Sequence, residues 1–124
     1  MKFAKTLGPI KLGTTLGAVI TWVHFFGAAA LLLPGGTEGF DWTYEDADDY
    51  GGFVLYAHNC RAQMIVNGEV ILEVEATRPI WGIDIAGKEK HYRPPIKVGL
   101  KMINPFFVPV DGGASGTIIG LSFK

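Results

Sequence analysis

The stretch from Leu12 to Leu33 constrains this chain most: 22 consecutive residues without an Asp, Glu, Lys or Arg, most of them apolar. A helix of that length, at about 1.5 Å per residue, reaches roughly 33 Å and crosses a bilayer core. Lys2, Lys5 and Lys11 precede it, six acidic residues from Glu38 to Asp49 follow, and the next cation is Arg61. Basic residues beside a span stay in the cytoplasm. The pattern therefore predicts an N-terminal transmembrane helix over 12–34 after a cytoplasmic basic lead over 1–11. An acidic, aromatic linker over 35–51 and a domain over 52–124 follow. On this reading the protein sits in the inner or plasma membrane, with the C-terminal domain periplasmic or extracellular. The rival is a cleaved secretory signal ending at Ala28-Ala29-Ala30, which also exports the domain.

Gly13, Gly17, Thr21, His24 and Ala28 follow at helical spacings and would share one stripe. Gly13 and Gly17 form a GxxxG pair, which lets helices approach closely. The stripe reads as a helix-contact face, or as chance in a glycine- and alanine-rich span. His24 is the sharpest residue, because an ionisable group within a membrane faces protein or a cofactor. It either hydrogen-bonds a neighbouring helix or touches a haem or chlorophyll-type pigment of a partner. Photosynthetic antenna polypeptides, single-span helices with a pigment-ligating His, are loosely similar. They commonly carry Ala four residues before that His, where this chain has Ile20.

Beyond the run the pattern is that of strands. Asn67-Gly68, between Ala62–Val66 and Glu69–Glu75, suits a type I′ hairpin. Val70, Leu72 and Val74 should face a core. Further strands are predicted at Phe53–His58, Ile80–Ile85, Ile96–Ile103, Phe106–Val110 and Thr117–Phe123. Pro94-Pro95, Asn104-Pro105 and Asp111-Gly112-Gly113 separate the later ones. Short strands with frequent turns imply a small antiparallel β-sandwich. The fold class is thus mainly β, with one helix at the start.

Chemistry-bearing motifs are few. A net charge of -1 gives no support to nucleic-acid binding. Cys60 is the single cysteine, so it is buried or available to another chain. His58, Cys60 and His91 are the only soft-metal candidates, and they are too scattered to predict a site. Asp46, Asp48 and Asp49 read as solvated linker. No nucleophile elbow, phosphate loop or dinucleotide fingerprint is present, so no catalytic residue is predicted and no cofactor is required. Trp42 and Tyr44 would sit at the membrane interface or pack on the domain.

Gly52-Phe53-Val54-Leu55-Tyr56-Ala57-His58-Asn59, followed by Ala62 to Ile71 through Asn67-Gly68, resembles a segment of lectin-like β-sandwiches of the protective-antigen type. Ile96 to Phe123 is similar to their closing strands, with a glycine-rich loop at Asp111 to Gly116. The resemblance implies a sandwich and glycan binding. That family's neighbouring acidic calcium ligands have no counterpart after His58, where Asn59-Cys60 stands.

Together these features point to a non-catalytic, single-pass accessory subunit of a larger membrane complex. A photosynthetic or electron-transport host is preferred, and the partners are integral membrane subunits and the bilayer. The alternatives are a membrane-anchored surface module binding glycan or protein, through exposed aromatics such as Trp42, Trp81 or Tyr92, and a membrane-associated virion protein.

Overall fold

The computed structural model describes residues 2–15, 19–75, 81–86 and 91–123, with side chains over 22–75 and 91–122. In it the apolar run is not a helix. Residues 12–15 end strand β1 (Lys2–Thr15), and Val19–Leu32 is strand β2. The two pair antiparallel from Lys2↔Ala30 to Thr15↔Val19. The physical reason lies in composition and position. Thr14, Thr15, Val19, Ile20, Thr21 and Val23 are β-branched, which favours extended backbone over helix. β2 also carries apolar or small residues on both faces, Phe25, Gly27, Ala29 and Leu31 outward and Phe26, Ala28, Ala30 and Leu32 inward, so it reads as an unbroken apolar run that hydropathy alone does not distinguish from a helix. Among the described residues no helix is long and apolar enough to cross a membrane.

The remaining strands are β3 (Thr37–Tyr44), β4 (Asp49–His58), β5 (Arg61–Val66), β6 (Glu69–Glu75), β7 (Trp81–Ala86), β8 (Ile96–Ile103) and β9 (Val110–Phe123). They form two antiparallel sheets, ordered β1-β2-β9-β4-β7 and β3-β8-β5-β6. Alternate residues of each sheet meet in one core. Phe53, Leu55, Met64, Val98, Leu100 and Ile118 are at its centre, all essentially inaccessible. Burial of that apolar area is the main term holding the sheets together.

β9 runs through the middle of the larger sheet. It pairs with all of β2, from Val19↔Phe123 to Leu32↔Val110, and on its other side with β4. The segment Asp111 to Gly116, expected as a loop, is therefore strand. Its inward positions are small for a reason. A Cβ on Gly116 would lie 2.4 Å from Cζ of Phe26 and 2.8 Å from Cε of Met64. The absent side chain is the space those two groups fill.

The Asn67-Gly68 hairpin forms as expected, with φ of 51° and 85°. Its core face departs from simple alternation. Met64 opposes Leu72 while Ile65 opposes Val70, leaving Ile71 as the extra residue of a bulge. That step moves Val70 to the outer face, where it is 48 % exposed, while Leu72 and Val74 stay buried. On the wet face Arg61 pairs with Glu75 at 2.9 Å and Gln63 donates to Glu73 at 2.7 Å.

Residues 37–44, expected as linker, are β3 and pair with β8 along its length. Trp42 and Tyr44 turn into the sandwich and stack on Phe26, with ring centroids 5.0 and 6.3 Å away. Phe106–Val110, expected as a strand, is mostly a bent loop, because Asn104 takes up its backbone groups and Pro105 and Pro109 cannot donate to a ladder.

Candidate binding groove

The outer face of the larger sheet carries a groove of about 660 Å³ across β2, β9 and β4. Its construction follows from register. Phe25 opposes Thr117, which opposes Val54. Gly27 opposes Ser115, which opposes Tyr56, and Ala29 opposes Gly113, which opposes His58. Outward positions between Phe25 and Tyr56 thus hold small side chains, and these form the floor. Strands lie about 4.8 Å apart, so the two rings stand roughly 10 Å apart laterally, with β9 between them. Phe25 is 38 % exposed and Tyr56 36 %.

The lining is mainly apolar, with a polar margin from His58, Asp111, Ser115, Thr117 and the Tyr56 hydroxyl. The volume lies within the ordinary range for small-ligand sites, about 300–1,000 Å³. What the arrangement offers chemically is two aromatic surfaces and several hydrogen-bonding groups around a flat floor.

The residues singled out from sequence lie elsewhere. Trp42 is part of the core, and Tyr92 packs edge-on against Phe53 at 5.7 Å, so neither lines the groove. Trp81 opposes His58 on β7, with its side chain outside the described residues. Gly17 is also outside them, Gly13 and Thr21 oppose each other in the β1–β2 ladder, and Ala28 is buried inside the sandwich. The proposed helix-contact stripe is therefore not a stripe, because a strand places alternate residues on opposite faces.

His24 is buried, as a costly polar group should be, but its partner is internal. Nε2 lies 3.0 Å from Oδ1 of Asp46, which also accepts the Tyr50 hydroxyl at 2.7 Å. The Ala47 N–H donates back to that hydroxyl at 3.0 Å. Tyr44 stacks over the imidazole at 4.3 Å. The cluster fixes the corner between β3 and β4, and no pigment or haem contact is needed to account for His24. Burial, and then the charge on Asp46, push the Tyr44 hydroxyl up to about 12. Tyr50 is raised as well, by burial and by its bond to Asp46.

His58 and Cys60 are separated by Asn59, which adopts a left-handed conformation at φ 59°. His58 reaches the groove, whereas Cys60 is fully buried, its thiol donating to the Gly113 carbonyl at 3.5 Å. Burial pushes that thiol's pKa up. His91 pairs with Asp49 at 2.8 Å. Among the described residues no three His, Cys, Asp or Glu side chains converge as a metal site would require.

Sequence reasoning missed the groove. The available signal was Phe25-Phe26-Gly27-Ala28-Ala29 matched with Gly113 to Thr117, a ring beside small residues on two strands, but it is visible only once the strands are paired.

No family model and no curated protein matches the sequence. Among solved structures, the chain is similar to a family 35 carbohydrate binding module from Clostridium thermocellum at 7 % identity and TM-score 0.36, over 94 % of this chain and 86 % of that one. It is similar to TmCBM61 in complex with beta-1,4-galactotriose at 16 % identity and TM-score 0.35, over 86 % and 70 %. The Clostridium difficile EutQ protein is similar at 14 % identity and TM-score 0.29, over 96 % and 67 %. These are distant likenesses, and no function is carried across from them.

Proposed function

We propose that this protein is a non-catalytic binding module whose outer sheet face takes one ring of a saccharide. The observation that carries the reading is the groove between Phe25 and Tyr56, floored by Gly27, Ala29, Gly113 and Ser115. A pyranose has an apolar C–H face and a rim of hydroxyls. The face suits stacking on an aromatic ring that buries area at low entropic cost, and the rim suits His58, Asp111, Ser115 and Thr117. The accessory-subunit reading depended on a transmembrane helix, and with β2 in its place no observation supports it.

The test is titration of the full chain with a panel of soluble gluco-, galacto-, manno- and chito-oligosaccharides, followed by calorimetry and amide shifts. Binding by one class is expected, with shifts at Gly27, Gly113 and Ser115. Tyr56→Ala should weaken it about tenfold, the loss expected from one stacked ring. Ser115→Leu should block the floor without unfolding the chain. Absence of binding across the panel, or equal binding by the Ser115→Leu variant, would overturn the proposal.

A further inference from the structure

The floor of the groove continues in register beyond the three strands that line it. Directly opposed residues of antiparallel strands share a face. Ala29 and Gly113 belong to the floor, and their row extends to Phe3 on β1 and, through His58, to Trp81 on β7. The row of Phe3, Ala29, Gly113, His58 and Trp81 therefore crosses every strand of the larger sheet, with an aromatic residue at the position on each edge strand. The neighbouring row is Lys5, Gly27, Ser115, Tyr56 and Ile83. Along the strands the small positions end at Phe25, Thr117 and Val54 on one side and at Leu31 and Asp111 on the other. The trough's long axis thus runs across the strands. At about 4.8 Å per strand, β1 and β7 lie roughly 19 Å apart, about twice the separation of Phe25 and Tyr56.

We infer, resting on the saccharide reading of the groove, that the seated ring is an internal unit of a chain lying across the sheet from β1 to β7. A single ring between Phe25 and Tyr56 leaves the β1 and β7 positions of both rows unused. The rings on either side of it fall over those positions, where Phe3 and Trp81 supply the residue type that suits a pyranose's C–H face. Lys5, at the β1 position of the second row, brings a donor of the kind that hydroxyls accept. Gly27, Ala29, Gly113 and Ser115 keep the path between the two edges low. Aromatic positions at opposite edges with only small residues on the two strands between match a ligand longer than one ring.

The test is titration of the full chain with length ladders of cello-, galacto-, manno- and chito-oligosaccharides, each from monosaccharide to hexasaccharide, read by calorimetry and amide shifts. For the class that binds, affinity is expected to rise about tenfold or more from monosaccharide to tetrasaccharide, the gain of at least one further stacked ring. Trp81→Ala should remove about tenfold from hexasaccharide binding and nothing from the monosaccharide, while Trp81→Phe keeps most of the gain. In the unmutated chain, the hexasaccharide should shift the amides of Phe3, Lys5, Trp81 and Ile83, and the monosaccharide should shift only those of β2, β9 and β4. Equal affinity at every length, hexasaccharide affinity unchanged in Trp81→Ala, or a hexasaccharide that leaves the β1 and β7 amides unmoved would overturn the chain-length inference and leave the one-ring reading standing. Binding by no member of any ladder would sink both.

Discussion

Tyr44 couples burial to pH. Its hydroxyl is raised from 10.0 to about 12, by burial first and by the charge of Asp46 second. The folded chain therefore holds that proton more tightly than the unfolded chain. The resulting stability is fully present below pH 10 and is lost as pH rises through about 12. Tyr50 shifts in the same direction. The thermal midpoint is expected to fall across that window, and Tyr44→Phe should flatten part of the fall. Because the Tyr44 hydroxyl is buried without a hydrogen-bond partner among the described residues, the same substitution should leave stability near neutral pH unchanged or slightly raised. An alkaline profile identical in the two proteins would contradict this account. Gly116 has the opposite character. Its missing Cβ makes room for Phe26, and Phe26 is held by Trp42 and Tyr44. Gly116→Ala is expected to cost about 1–3 kcal/mol in denaturant unfolding as overpacking.

At the scale of elements, the β5–β6 hairpin was readable from Asn67-Gly68 and the alternation around it, because a type I′ turn demands residues tolerant of positive φ. The bulge at Ile71 was not readable, since Val70, Ile71 and Leu72 are all apolar and alternation cannot say which one slips. The apolar run failed for a different reason. Hydropathy and length carry no period, and Gly27 to Ala30 suits a close-packed strand as well as a membrane helix. The β-branched residues from Thr14 to Val23 were the contrary signal. The groove was unreadable because it depends on the β2–β9–β4 register, which joins residues some ninety positions apart. A direct consequence concerns truncation. If 1–33 were an anchor or a removable signal, 34–124 would fold alone. In this fold that fragment lacks β1 and β2, and it leaves one flank of β9 unpaired. It is expected to show no cooperative thermal transition by circular dichroism, whereas the full chain does. A cooperative melt of the fragment would contradict the topology.

For the molecule as a whole, one sheet does two jobs. Its inner face supplies half of the core through Phe26, Leu55 and Ile118, and its outer face supplies the groove through Phe25, Tyr56 and Ser115. Both depend on β2 lying beside β9 in one register. The most direct measurement is therefore a set of backbone nuclear Overhauser contacts in labelled full-length protein. The account predicts extended-chain carbon shifts over Val19–Leu32. It also predicts cross-strand contacts linking Gly27 to Ser115 and Ser115 to Tyr56. Helical shifts over Val19–Leu32, with no contacts to β9, would contradict it.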